Sequence, residues 1–156
     1  MTPAIVAARQ AGVSHRIHEY SHQPGTASYG LEAADKLGLA PERVFKTLVA
    51  QLDGHELVVG LVPVACQLNL KSLAKAAQGK KAIMADPKAV ERSSGYVLGG
   101  VSPLGQKRRL RTFIDETAVN LETLFVSAGR RGLEIELAPQ DLAQLLSARF
   151  APLSTN

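Results

Sequence analysis

Apolar positions along this chain follow two rhythms, and the places where one gives way to the other mark its elements. Ile5, Val6 and Ala8 recur at helical spacing behind Thr2 and Pro3, and Gly12 stops the run. Thr2 is a capping type, and a proline costs nothing at a first helical position because its missing N–H would lack a helical partner there. From Val13 to Tyr20 the pattern alternates, with Val13, His15, Ile17 and Glu19 set against Ser14, Arg16, His18 and Tyr20, which predicts a strand. Ser21 to Ser28 reads as a polar loop around Pro24-Gly25. A second helix is expected from about Gly30 to Lys36, ended by Gly38.

Val44 to Leu52 is a β-rich run broken by Lys46, Thr47 and Gln51. Asp53-Gly54 is a two-residue hairpin signal, and Glu56 to Val64 supplies the return strand. Leu68, Leu70, Leu73, Ala74 and Ala77 predict a helix over Gln67 to Gln78, ended by Gly79. Lys81 to Met84 reads as a short strand, and Asp86-Pro87 as the cap and first position of a short helix. Ser94 to Gly105 holds too much glycine and proline for a long regular element. Strands are expected at Arg111 to Ile114, Thr123 to Ser127 and Leu133 to Leu137, with the turn between the last two at Ala128-Gly129 and Arg130-Arg131-Gly132. A final helix runs from Pro139 to about Ser147. Strands and helices interleaved in this order predict an α+β fold, a curved mixed sheet with a barrel-like core flanked by helices. Without repeats or linkers, residues 1–156 are expected to form one domain.

Composition changes this picture little. With three Tyr, four Phe and no Trp, aliphatic side chains must fill the core. The net charge of +4 and pI near 9.4 are compatible with a polyanionic partner and do not require one. The single cysteine, Cys66, excludes an internal disulfide and suggests a reducing compartment. Its apolar neighbours from Leu61 to Ala65 favour a buried structural thiol over a nucleophile. The N-terminus carries no signal-peptide pattern and no apolar run is long enough to span a membrane, so a cytoplasmic location is expected. His15, His18 and His22 have helical ligand spacing but sit in a strand and loop with no second ligand cluster, so no metal and no cofactor is expected.

Three features carry chemistry. Lys46 interrupts a run that otherwise requires burial. It either faces solvent or sits in a half-buried cleft, where it would bind a phosphate or a carbonyl oxygen. Gly99-Gly100-Val101 is either a structural turn or a place where backbone N–H groups converge on an oxyanion. Lys107, Arg108, Arg109 and Arg111 are either a solvated strand edge or a phosphate-binding cluster. No Gly-x-Ser-x-Gly elbow and no triad spacing nominates a nucleophile, so a hydrolytic enzyme here would depend on the substrate or on water to attack.

These segments together resemble the YbaK/EbsC family of cysteinyl-tRNA(Pro) deacylases, in the superfamily shared with the editing insertion of bacterial prolyl-tRNA synthetases. The likeness rests on Met1-Thr2-Pro3-Ala4, Phe45-Lys46-Thr47-Leu48, Leu68-Asn69-Leu70-Lys71, Gly95-Tyr96 and Gly99 to Lys107. Val126-Ser127, Arg131-Gly132-Leu133 and Ala138 to Leu142 continue it. The resemblance implies a pocket beside the Lys46 strand, closed by the glycine-rich segment, with Lys46 central and Tyr20, Tyr29, Thr47, Gly100, Ser127 and Glu134 lining it. Tyr29 stands where Phe is expected and Glu134 where Asp is expected, which changes reach within the pocket. The activity implied is removal of cysteine from mischarged tRNA(Pro), and from tRNA(Cys), by attack of the substrate's own thiol on its ester. The amides of Gly99 to Val101 would steady the oxyanion, and the product would be a thiolactone, a lyase-type outcome. The partners implied are the 3′ end of aminoacylated tRNA and, transiently, a prolyl-tRNA synthetase. The alternatives are an alanyl-tRNA deacylase that uses water and a non-catalytic module that binds tRNA or synthetase.

Overall fold

The computed structural model describes residues 1–25 and 28–155, so part of the expected loop from Ser21 to Ser28 lies outside the described residues. Helix α1 (Pro3–Ala11) is capped as its sequence requires: Thr2 Oγ1 accepts from the Ile5 N–H, and Gly12 closes the helix in the left-handed region. Strand β1 (His15–Glu19) is shorter than the alternating run. Helix α2 (Tyr29–Leu37) and a 3-10 turn (Pro41–Arg43) lead into the hairpin of β2 (Phe45–Leu52) and β3 (Glu56–Pro63). At its tip Asp53 and Gly54 both have positive φ, and the His55 N–H donates to Leu52 O at 3.1 Å. The ladder resumes at Leu52 opposite Glu56, so the loop holds three residues where the dipeptide predicted two.

The helix expected over Gln67 to Gln78 starts later. Gln67–Leu68 forms β4, and α3 (Leu70–Ala76) begins after Asn69, whose side chain accepts from the Ser72 N–H at 3.0 Å. Strand β5 (Ala82–Met84) and helix α4 (Pro87–Ser94) follow. Pro87 is at the first helical position, but the Asp86 side chain makes no capping bond. Beyond the glycine-rich segment come β6 (Arg111–Asp115), a 3-10 turn (Glu116–Asn120), β7 (Leu124–Arg130) and β8 (Leu133–Leu137). Strand β7 runs past its expected end: Ala128-Gly129 is an irregularity in the ladder between Ser127 and Arg130, not the turn. Helix α5 (Pro139–Leu146) is followed by β9 (Arg149–Ala151) and β10 (Ser154–Thr155), which the sequence pattern did not indicate.

The fold is α+β with a mixed sheet, and its barrel-like core stays open. One sheet has the order β5-β2-β3-β6-β9, with β3, β6 and β9 parallel; a second, antiparallel sheet has the order β1-β8-β7. They meet at one bridge, Val44 to Phe125. The main core fills the space between them and takes in Leu61, Ile114, Leu124, Ile135 and Leu142, with α1 and α5 packed on it. Helix α3 covers the opposite face of the larger sheet through Leu73 and Ala74.

The C-terminal strands are held by Asp115, which is only 1% exposed. Its carboxylate accepts from the Leu153 and Ser154 N–H groups at 2.8 and 3.0 Å and from Thr117 Oγ1 at 2.6 Å. Burial raises its pKa, but these donors outweigh that and hold it below the usual value. Stability from Asp115 is therefore present above the ordinary carboxylate range and lost as pH falls through the lowered value. Asp115→Ala strands buried donors and is expected to cost about 2–4 kcal/mol at pH 7. Urea unfolding of wild type and variant at pH 7 and in acid checks this, with the difference shrinking as pH drops.

Candidate active site

Strand β5 pairs with β2 only at Ala50 to Leu52. Phe45 to Val49 therefore have no strand partner on that edge, and the two sheets part there. The gap is a cavity of about 440 Å³. One wall is β2, with Lys46 and Thr47. A second is the β7–β8 ladder, where Ser127 and Glu134 sit opposite each other in register. The third comprises the start of α2 at Tyr29 and the glycine-rich loop at Leu98, Gly99 and Val101, with Tyr20 also lining the space. Met84, Pro87 and Val90 complete it with apolar surface.

Lys46 is half-buried, and burial lowers its pKa, an effect partly offset by the neighbouring Cys66. Thr47 Oγ1 is buried and has no hydrogen-bond partner in the protein. Glu134 is 6% exposed, and burial pushes its carboxyl up to about 8. Among the described residues no hydrogen bond or ion pair reaches that carboxyl. Burial also raises the pKa of Tyr20, and the nearby Glu134 adds to the shift. Unpartnered polar groups of this kind cost stability unless a ligand meets them, so they mark a site rather than a structural core.

The glycine-rich loop is built to lie close to its neighbours. A Cβ on Gly99, which has φ +87°, would stand 2.5 Å from Arg131 Nε and 2.7 Å from the Tyr29 ring; one on Gly100 would stand 2.8 Å from the Arg130 Cα. Tyr96 fixes the far side of the loop by donating its hydroxyl to Leu104 O at 2.7 Å, and burial raises that phenol to about 12. Gly100 differs from what the sequence suggested. Its N–H donates to Val97 O at 3.0 Å, it packs on the Arg130 backbone, and it does not line the cavity. Of the three expected oxyanion donors, only the Gly99 and Val101 amides are left for an external oxygen.

The basic cluster also divides. Arg111 makes a two-pronged contact with Glu56 at 2.8 and 2.9 Å and donates to Ala77 O. Arg109 holds the end of α5 through Leu145 O and Ser147 Oγ. Lys107 and Arg108, with Arg109, line a separate groove, and none of the four lines the cavity. Two of the four are thus structural, because strand and helix ends take up their donors.

The three N-terminal histidines do not converge. His15 Nδ1 is 2.8 Å from Val13 O, His18 Nε2 is 2.9 Å from Glu136 and His22 Nδ1 is 2.7 Å from Glu32. Among the described residues no group of three or more His, Cys, Asp or Glu could hold a metal, and no helix is long and apolar enough to cross a membrane. Cys66 is partly exposed rather than buried, because the chain turns at Val64 and the Cys66 N–H donates to Pro63 O. An electropositive group, Lys46, does lie near it. Arg131 belongs to the segments that carry the family resemblance, but sequence reasoning did not tie it to Tyr29.

Comparison with known proteins gives a consistent result. Residues 23–145 match the family model described as the aminoacyl-tRNA editing domain. A protein of Enterococcus faecalis that bears the provisional name Cys-tRNA(Pro)/Cys-tRNA(Cys) deacylase EbsC is 36% identical over 154 residues, 99% of this chain and 93% of its own length. Two crystal structures share the fold. One, provisionally described as a trans-editing enzyme for prolyl tRNA synthetase, has a TM-score of 0.80 at 23% identity and covers 100% of this chain and 99% of its own. The other, a protein described only as hypothetical, has a TM-score of 0.88 at 21% identity and covers 99% and 100%.

The raised Glu134 carboxyl makes stability depend on pH. Between its ordinary value of 4.5 and about 8 the unfolded chain has lost this proton and the folded chain keeps it. Stability therefore falls as pH rises through that window, by an amount on the order of a few kcal/mol. Glu134→Gln cannot ionise and is expected to flatten that slope and to be more stable than wild type at pH 8. Urea midpoints at pH 5, 6, 7 and 8 check it; parallel curves for the two proteins would contradict it.

Proposed function

The chain belongs to the aminoacyl-tRNA editing domain family, and from that premise we propose that it removes cysteine from mischarged tRNA(Pro), and from tRNA(Cys), using the substrate's own thiol. The observation that carries this reading is the make-up of the cavity. It offers a half-buried lysine, two amides at a glycine turn and a partnerless hydroxyl and carboxyl, but no protein nucleophile with an activating base. Among the described residues that line it, Ser28 and Ser127 are the serines and none is a histidine. An aminoacyl ester is already activated, and a cysteinyl group carries a thiol with a reference pKa of about 8.5. In the proposed step the sulfur bonds to the ester carbonyl carbon and the bond from that carbon to the tRNA 3′ oxygen breaks. The thiol proton ends on the freed 3′ hydroxyl, leaving a four-membered thiolactone. The cavity's contribution is to hold the chain in position and to stabilise the negative oxygen through Gly99, Val101 and Lys46.

Selectivity follows from the chemistry. Cysteine and alanine differ by one small group, which a pocket separates by only about 1–3 kcal/mol. Alanine has no sulfur to attack with, so using the substrate as reactant goes beyond what binding achieves. On this reading the protein works where charged tRNA is made, in the cytoplasm, and acts in transient complex with a prolyl-tRNA synthetase. The likeness to a structure described as a trans-editing enzyme for prolyl tRNA synthetase supports the second statement.

A second reading is favoured by one observation. The carboxyl of Glu134, buried and raised to about 8, is placed to act as a base for water, which would suit an alanyl-tRNA deacylase. Deacylation of cysteinyl-, seryl- and alanyl-tRNA(Pro) separates the readings. Thiol attack expects fast loss of cysteine and slow loss of serine and alanine. Water attack with Glu134 as base expects alanine to be cleared and Glu134→Gln to abolish its loss. Lys46→Ala is expected to lower the cysteinyl rate by about 10²–10³. A protein that binds the tRNA and clears none of the three would be a non-catalytic module.

A further inference from the structure

We propose that Arg131 is a positioning residue: it clasps the glycine-rich loop to the start of α2 and so holds the two segments that form one wall of the active-site cavity in their working arrangement. Its guanidinium carbon lies 4.0 Å from the centre of the Tyr29 ring, within the range of a stacked cation–π contact. Its Nη2 donates to Leu98 O at 3.1 Å. Its Nε occupies the space that a side chain on Gly99 would need, as does the edge of the Tyr29 ring. One planar group therefore touches both Tyr29 and the Leu98-Gly99 backbone, two segments of one cavity wall that are far apart in the chain.

The turn that carries Arg131 is itself fixed. The Arg130 backbone lies against Gly100, and Gly132 lies against Tyr20, whose N–H donates to Gly132 O at 2.9 Å. From behind, His22 meets Glu32 at 2.7 Å and its ring stands 5.6 Å from Tyr29. Tyr29 is thereby in contact with both His22 and Arg131. The rest of the loop lacks comparable restraint toward α2: Val97 and Leu98 are exposed, and the Gly100 N–H turns inward to Val97 O. Without Arg131 the Gly99 and Val101 amides would keep their chain connections but lose a contact that fixes their place against Tyr29 within that wall. A lysine cannot replace this, because an ammonium neither stacks as a plane nor reaches Leu98 O in the same fork.

The catalytic consequence rests on the deacylase reading above, so the test has one arm that does not use activity. Hydrogen exchange of the folded protein is measured for wild type, Arg131→Ala, Arg131→Lys and Arg130→Ala. The expected result is at least tenfold faster exchange at the Gly100 amide, which is hydrogen-bonded to Val97 O, in both Arg131 variants, unchanged exchange in the β2–β3 ladder, and wild-type behaviour in Arg130→Ala, which removes a neighbouring charge without touching the stack. Unchanged loop exchange in Arg131→Ala would overturn the clasp, whatever the enzyme does.

The second arm is cysteinyl-tRNA deacylation. Arg131→Ala is expected to lower kcat by about 10- to 100-fold with little change in KM, since misplacing the donors weakens the transition state rather than binding. Tyr29→Ala with Arg131→Ala should be little worse than the slower single variant, because both remove one contact. Loss confined to KM, with a flatter salt dependence and full rescue by Arg131→Lys, would instead make Arg131 a phosphate contact and overturn the proposal. If wild type clears no aminoacyl-tRNA, the deacylase reading fails, and the exchange result still decides the clasp.

Discussion

The active-site cavity exists because β2 is a shared strand that only one of its edges fully satisfies. Along Ala50 to Leu52 it is paired on both sides; along Phe45 to Val49 only β3 pairs with it. At Val44 it touches the second sheet through a single bridge to Phe125 and then diverges from it. A sheet that continued without a break would have covered this edge and buried Lys46 and Thr47 against other backbone. The hydrophobic core holds the two sheets at a fixed separation below the gap, through residues such as Ile135 and Leu61, so the opening is a property of the topology and not of loop mobility.

The groups lining that opening are in states that the fold alone does not favour. Burial lowers the pKa of Lys46 and raises that of Glu134, so each is pushed toward its neutral form, and Thr47 Oγ1 has no partner. Elsewhere the same chain meets its buried carboxylates with donors: Asp115 accepts from two backbone N–H groups and a hydroxyl, and Glu32 from the Gln23 N–H. The contrast is informative because both treatments occur in one core. Structural carboxylates are satisfied, whereas the carboxyl in the cavity is left without a partner.

How much of this was legible in the sequence depended on range. The β2–β3 hairpin, α1 with its Thr2 cap and α5 were readable because their signals are local: capping types, prolines at first positions, a turn dipeptide. The C-terminal strands were not, since two or three residues carry no periodicity and their order comes from Asp115, far away in the chain. Glu134 shows the same limit at the site. Leu133, Glu134, Ile135, Glu136 and Leu137 alternate, and alternation places both glutamates on a solvent face. Glu136 does lie near the surface; Glu134 is buried and lines the cavity with Tyr20, a setting that no single-strand pattern reports. Its place in the cavity lining, like that of Tyr29 and Ser127, could be anticipated only through the family resemblance. The donor assigned to Gly100 failed for a related reason: a run of glycines signals close approach, but not which amide turns inward.

The division of labour among the basic residues bears on how a chain of this size could handle a substrate as large as tRNA. Arg109 and Arg111 serve the fold, Arg131 lies at the cavity mouth, and Lys107 and Arg108 remain along another groove. A net charge of +4 offers only modest non-specific attraction to a long phosphate backbone. A cavity that grips just the charged end suits such a protein, since end recognition needs a pocket and two or three donors rather than an extended basic face. Discrimination between whole tRNAs would then have to come from a partner with a larger RNA-binding surface. The modest net charge and the proposed synthetase complex are in that respect two sides of one physical argument.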